Sequence, residues 1–391
     1  MKKISLVLLA VFCVVLSPLA AASIAVPDIE LPVVVDVRSG GMGGQHLADE
    51  SSPFVLLHNP SLLPLSGKQV LLPSFAMNLG GPAGIIPIFQ KYLDGTLMSE
   101  ENQDMLTSVL TPLLEDTNGI YIDADIMLPV LGGRVNNGWG WGLYNDVFVR
   151  GTIPSLSIAK VKTGGDLMLA FGFGFPLIET DNHFLSIGFN TKVLGRMEVV
   201  YDGDVSSLTK TDFSQLPAYL YGIAGADVGL TYNLLDILTV SLAWKDFYYG
   251  VGKNMGPLTS MSFSANKGVS HNWSYGDLDA GIAVHVPTGF LKFIFSKVTV
   301  FADYKNIISG LPFASNAFAE HPLLNLSVGT EVVLFNFWGL RVGMQGPYFS
   351  AGTSFDLGPF HLGGSVYGLE KGLDPGESPQ LHGALEIAFY Y

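Results

Sequence analysis

Histidines, carboxylates and hydroxyls are the groups here with chemistry to offer, because thiols are nearly absent. The chain of 391 residues carries eight histidines and one cysteine, Cys13. Cys13 lies inside an apolar N-terminal stretch, so a chain that sheds this stretch has no disulfide and no thiolate metal site. A lipoprotein reading would need a small residue before the cysteine, and Phe12 stands there. The histidines are dispersed, with no spacing that gathers metal ligands. A hydrolase needs a nucleophile, a base and an orienter within reach. His285, and His382 beside Glu386, are the candidate bases. Both fall on the polar face of alternating segments, where a histidine more often joins a solvated hydrogen-bond network. Serines are abundant enough to lie near either by chance. No catalytic residue, no metal and no cofactor is expected. The Asn272-Trp273-Ser274 sequon reads as loop.

Composition narrows the class. Charged residues make up 14% and hydrophobic residues 48%, with 46 glycines. Soluble domains carry about a quarter charged residues. A disordered chain would have more charge and less apolar area. The 20 Lys+Arg against 34 Asp+Glu leave no basic stripe for phosphates, which excludes a nucleic-acid binder. A soluble chain this apolar would expose large sticky patches, so a membrane is the expected solvent.

The N-terminus has the form of a secretory signal peptide over residues 1–25. Lys2 and Lys3 precede an uncharged apolar stretch, which Ser17 and Pro18 break before a run of small residues. Its loss takes the formal charge from −14 to −16, because Lys2 and Lys3 go with it. Downstream, the longest charge-free stretch, residues 69–90, is interrupted by Pro73, Pro82 and Pro87 and by Gly80, Gly81 and Gly84. Proline and glycine rule against a spanning helix. A closed β-barrel is the other way to satisfy every backbone group in lipid.

The second half alternates with period two. Val228, Leu230, Tyr232 and Leu234 oppose Asp227, Gly229, Thr231 and Asn233. Leu242 and Trp244 oppose Ala243 and Lys245, and Ile282 and Val284 oppose Gly281 and His285. Such alternation marks strands with one apolar and one polar face. Strands are expected near 120–130, 138–150, 152–162, 165–176, 183–197, 220–234, 237–247, 277–287, 292–305, 322–334, 338–346, 347–357, 359–368 and 380–391. That is about fourteen, the even number of a single-chain barrel. The long connections 198–219, 248–276, 306–321 and 369–379 fall at one end and the short turns at the other. The lumenal charges Lys192, Asp227, Lys245, Asp279, Asp303, Lys305, Glu331 and Arg341 are expected to form ion-pair networks. Leu381, Leu385, Ile387, Phe389 and Tyr391 share a face, and the chain ends on an aromatic in that register. This resembles the terminal signal that the barrel-assembly machinery of the outer membrane reads.

Residues 26–119 lack sustained alternation and read as a plug region ahead of a barrel over 120–391. A helix is expected from Ser99, with Met105, Leu106, Val109, Leu110 and Leu113 at helical spacing. Within this region Arg38-Ser39-Gly40-Gly41-Met42-Gly43-Gly44-Gln45-His46-Leu47-Ala48-Asp49-Glu50 resembles the N-terminal segment of FadL/TodX-type transporter barrels for long-chain fatty acids and other hydrophobic compounds. Asn59-Pro60-Ser61-Leu62 is similar to their Asn-Pro-Ala-Leu signature, with serine in place of alanine. PorV-type secretion proteins are similar too. The resemblance is specific over residues 38–63 and loose elsewhere.

The resemblance implies an all-β fold, a transmembrane antiparallel β-barrel of about fourteen strands with an N-terminal hatch. It implies a bacterial outer-membrane channel for hydrophobic ligands such as fatty acids, in contact with outer-membrane lipids. The alternative is a PorV-like secretion or surface-interaction barrel. Gly41, Gly43, Gly44, Asn59, Pro60 and Ser61 are the candidate gating residues. Glycine permits positive φ and close backbone approach, Asn59 can bond nearby backbone, and Pro60 fixes a turn. Met42, Phe54, Leu56, Leu62 and Leu63 are the candidate ligand-lining residues.

Overall fold

The computed structural model describes residues 35–81, 111, 114, 119–129, 132–208, 211–261, 269–307 and 320–389. The signal-peptide region lies outside the described residues, as do Met105, Leu106, Val109, Leu110 and Leu113 of the expected helix. Among the described residues no helix is long and apolar enough to cross a membrane, which says nothing of strands.

One antiparallel sheet contains β1 (Lys68–Leu71), β2 (Phe75–Gly81), β3 (Ile120–Met127), β4 (Gly133–Asn136), β5 (Trp139–Ser155), β6 (Ile158–Glu179), β7 (His183–Gly203) and β8 (Pro217–Leu234). It continues with β9 (Leu238–Pro257), β10 (Val269–His285), β11 (Phe295–Tyr304), β12 (Leu326–Leu334), β13 (Trp338–Gln345), β14 (Tyr348–Leu357), β15 (Phe360–Glu370) and β16 (Pro379–Phe389). Fourteen of these strands close a ring. β5 through β16 pair with their neighbours in sequence, β16 pairs with β2, β2 with β3, and β3 with β5. The seam registers Leu381 on Gly81 and Ile387 on Phe75. Closure leaves the ring no unpaired edge. β1 and β4 form a short extension, with β4 also paired to the start of β5.

Parity sets the two faces. Leu230, Leu242, Val284 and Ile387 point outward with 38–43% of their surface exposed. Asp227 and Glu386 are buried in the interior, and Lys245 and His285 are half-buried on the same inner face. The outside is an apolar belt and the inside a polar lumen, as a barrel in lipid requires.

The strand total equals the expected one because two errors offset each other. Residues 152–162 and 165–176 are not separate strands, since β6 runs unbroken through Gly164 and Gly165. Conversely Phe75–Gly81 belongs to the wall, although residues 26–119 were expected to contribute none of it. β2 is short and bounded by Pro73 and Pro82, so its alternation is too brief to register.

The expected long connections are also partly strand. β7 runs to Gly203, β9 to Pro257, and β10 starts at Val269. Asp246 and Gly276 adopt φ of 61° and 66°, and the β8–β9 register shifts between Ala226 and Val228. One extra residue inverts the parity beyond it. Above that point Tyr249 pairs with Trp273 and Phe247 with Tyr275, on the outer face. At about 3.3 Å per residue, the 22 residues of β6 run roughly 70 Å, whereas β11 to β16 have 8–11 residues each. A hydrocarbon layer takes about ten tilted residues. One side of the barrel therefore rises well beyond the belt.

Candidate functional site

Residues 35–66 fold as a chain of tight turns inside the ring. Asp36 caps the turn Val37–Gly40, accepting from Ser39 N at 3.0 Å and Ser39 Oγ at 2.5 Å. Gly43 and Gly44 take φ of 84° and 115°, a path that a residue with a Cβ would follow only under strain. A second helical turn, Val55–His58, leads into the 3-10 turn Pro60–Leu62. Asn59 caps that turn by accepting from Ser61 N at 3.1 Å, and Pro60 takes the first position, where no amide is needed.

Two struts hold this segment to opposite sides of the lumen. On β12–β14 the Met42 carbonyl lies against Gly329 and Gly343, and Gly41 against Gly352. A methyl at Gly343 would overlap the Met42 carbonyl. On β6–β8 Pro60 lies over Gly174 and Gly188, and Asn59 over Gly229. Asn59 Nδ2 donates to Leu47 O at 3.0 Å and to Thr231 Oγ1 at 3.1 Å. Ser186 Oγ donates to Ser61 O and Asn190 Nδ2 to Leu56 O, each at 2.6 Å. The expected gating residues are thus brought together with the wall: Gly41 and Gly43 in one strut, Asn59, Pro60 and Ser61 in the other. Gly44 lies beside Lys305 and Gln345.

A buried charge network ties the segment to β11–β13. Glu331 accepts from Arg38 at 2.6 and 2.8 Å, from Arg341 at 2.8 Å and from Lys297 at 3.1 Å. Arg38 also pairs with Asp49 of its own segment. Burial by itself would weaken the Arg38 charge, but the Asp49 and Glu331 carboxylates hold its pKa well above the ordinary value. Burial likewise works to raise Asp49, yet Arg38 and Lys297 prevail and keep it at about 2. Glu50 is pushed up to about 7, mainly by burial. Burial lowers His58 to about 4, against the opposing pull of Asp36. His46 stacks on Phe301 with centroids 4.7 Å apart, and its Nδ1 lies 2.5 Å from Asp303 Oδ2. The expected lumenal ion pairs include Lys192–Asp227 at 2.7 Å, Lys245–Asp279 at 3.7 Å and Arg341–Glu331.

The five candidate ligand-lining residues are packed inside the closed segment. Met42, Phe54, Leu56, Leu62 and Leu63 are 0–1% exposed. Four of them pack with Tyr144, Met168, Leu194 and Ile223 in the lumen core, and Met42 packs with Ala48, Ala283 and Phe301. They hold the segment together and do not line its main cavity. That cavity, of about 330 Å³, lies beside the segment. Val70, Leu71, Val135, Trp141 and Tyr144 give it apolar surface, interleaved with Lys68, Gln69 and Arg134 of the same strands. Arg38, Lys297, Glu331, Arg341, His361 and Glu386 add a denser set of charges. Sequence reading missed Arg38, since its wall partner is Glu331, distant in the chain. It also missed the seat of glycines, although Gly229, Gly281 and Gly329 stand on polar strand faces where a glycine makes room for something.

The candidate bases sit in other roles. His285 Nδ1 lies 3.2 Å from Thr299 Oγ1, and His382 stacks on Tyr367 at 5.2 Å. Glu386 faces His361 Nε2 at 3.9 Å. Among the described residues no cluster of His, Cys, Asp or Glu is arranged to hold a metal ion.

No protein-family model and no curated protein matches the chain. Among solved structures it is similar to the Pseudomonas putida toluene transporter TodX, at 12% identity and a TM-score of 0.47, covering 90% of this chain and 96% of that one. It is similar to the Ralstonia pickettii toluene transporter TbuX, at 13% identity and a TM-score of 0.44, with coverage of 90% and 96%. It is also similar to a Pseudomonas aeruginosa FadL homologue, at 9% identity and a TM-score of 0.43, with coverage of 95% and 99%.

Proposed function

We propose that this protein is an outer-membrane channel for the entry of hydrophobic molecules, held shut by residues 35–66. The observation that carries the reading is the cavity of mixed apolar and charged lining directly beside the lumen segment. Its apolar residues suit a hydrocarbon and its cationic ones, Lys68 and Arg134 among them, suit an acidic end, so acyl compounds such as long-chain fatty acids are the leading substrates. Each buried CH₂ contributes about 0.8 kcal/mol, so ten would contribute roughly 8 kcal/mol. A shift between two arrangements of the lumen segment needs only a few kcal/mol. A small charged metabolite would gain little from Val70, Leu71 or Val135. Residues 1–25 would direct export, and the assembly machinery would read the terminal strand.

Extraction of the purified barrel followed by mass spectrometry tests the proposal. Acyl or other hydrophobic compounds are expected from the wild type and should be depleted in Val135→Arg. Their absence from both would count against transport. The tall side of the barrel, β6 to β10, favours a second reading as a secretion or surface-interaction barrel. A stoichiometric protein partner with no retained hydrophobic compound would place that reading ahead.

A further inference from the structure

The connection between β10 and β11 is the least explained exposed surface of the molecule. It contains the 3-10 turn Gly289–Phe293. With three residues per turn, side chains three apart eclipse each other, so Phe290 and Phe293 project from one face. They are 87% and 71% exposed, while the outward belt residues of β10 and β11 lie near 40%. Lys292 stands exposed between them.

The turns on either side share this character. The β8–β9 turn exposes Leu235 and Ile237, and the β12–β13 turn exposes Phe335 and Phe337. Backbone bonds lock the three side by side: His285 N donates to Ile237 O at 2.7 Å, and Phe335 N to Ile294 O at 2.9 Å. The collar continues the outward stripe of Val284 and Val286 on the β10 side. An apolar collar of this extent standing in water would be a liability in a monomer. Aromatic rings are at home where acyl chains meet headgroups, and a neighbouring lysine reaches phosphate.

We infer that residues 286–294 form an interfacial anchor, with Phe290 and Phe293 inserted at the headgroup–acyl boundary of the leaflet at the short-turn end. Lys292 meets the lipid phosphates. The occupant is the lipid surface, because the collar is continuous with the belt. The inference rests on the barrel standing in a membrane but not on what it transports.

The mature chain offers a background without cysteine, because Cys13 lies in the signal region. Nitroxide labels at Phe290→Cys, Phe293→Cys, Lys292→Cys and Leu242→Cys would be read in nanodiscs of phosphatidylethanolamine and phosphatidylglycerol, which leave both faces open. Heat-modifiable gel mobility verifies that each variant is folded. Labels at 290 and 293 are expected to collide more with oxygen than with a water-soluble nickel chelate, with the ratio shifted toward the value at 242. The label at 292 should show the reverse. Free collision with the chelate at 290 and 293, while 242 reports lipid, would overturn the anchor alone. Exclusion of both reagents there would overturn it in favour of a protein contact. Chelate access at 242 would overturn the membrane placement itself.

Discussion

Substituting Asn59 by aspartate should release the lumen segment while leaving the barrel intact. The amide is fully buried and uses both of its ends. Nδ2 donates to Leu47 O and Thr231 Oγ1, and Oδ1 accepts from Ser61 N at 3.1 Å and Ser61 Oγ at 2.6 Å. Asn59→Asp keeps the shape and the accepting oxygen but turns the donor into a second acceptor. The Leu47 carbonyl then faces a carboxyl oxygen, whereas Thr231 can rotate its hydroxyl to donate. Leaving a buried polar group unpaired costs about 1–3 kcal/mol, and a buried charge costs more. A loss of about 3 kcal/mol corresponds to a released population roughly 100-fold larger, at about 1.4 kcal/mol per decade. The wall keeps its own ladders, so heat-modifiable mobility should not change. The assay is thiol labelling of Ala48→Cys, a fully buried probe within the segment. Its rate follows the released fraction when reclosure is fast. A rise of one to two decades in the double variant is expected. An unchanged rate, with the probe reactive after denaturation, would refute the claim that Asn59 holds the strut.

Three further outcomes follow from the same contacts. Gly343→Val sets a side chain against the Met42 carbonyl, so it should lift the other strut and raise Ala48→Cys labelling, whereas Gly383→Ala, with open space around it, should not. Docking should vary with pH in a defined way. Asp49, held at about 2 against an ordinary 3.8, favours docking fully above about 4 and loses that contribution as pH falls toward 2. His58, lowered from 6.5 to about 4, favours docking above 6.5 and loses it as pH falls to 4. Glu50, raised from 4.5 to about 7, acts oppositely, and docking gains as pH falls from 7 to 4.5. Labelling, divided at each pH by the rate of the unfolded protein to remove the thiolate dependence, should therefore stay nearly flat from pH 7 to 4.5 and rise below 4, while Glu50→Gln should begin to release below 6.5; the same normalised profile in both proteins would contradict this assignment. Finally, deleting residues 389–391 should abolish outer-membrane insertion, since Phe389 packs edge-on against Phe360 and its carbonyl accepts from Leu72 N at 2.9 Å; normal insertion would count against a terminal signal.

The wall was legible in the sequence wherever a strand keeps one parity, because burial on one side and lipid on the other force apolar and polar residues to alternate. Leu230 against Asp227 and Ile387 against Glu386 illustrate this. Legibility failed where parity breaks. Asp246 and Gly276 turn to positive φ inside their strands, so Tyr249 and Trp273 fall out of phase with Leu242 and Ile282 and look like loop. Gly164 and Gly165 imitate a turn inside β6. β2 offers only Phe75, Met77 and Leu79 between prolines. The lumen segment was legible as non-wall, because glycines and prolines interrupt it and no period of two survives. Its partners were not. Arg38 meets Glu331, and Asn59 meets Thr231, only because the ring closes around them. The apolar residues expected to line a ligand are the ones that water exclusion drives into the packed lumen core. The main cavity draws on Val70 and Val135 of the short extension and on Trp141 at the start of β5, too few residues for a pattern to show.

Single-channel conductance of the barrel with and without residues 38–63 tests the central claim most directly. If the segment closes the channel, the wild type should be almost silent, since the segment spans the lumen from β6–β8 to β12–β14. The deletion, still heat-modifiable and inserted, should pass ions in large and lasting steps. Equal conductance in the two folded proteins would contradict the assignment of this segment as the closure.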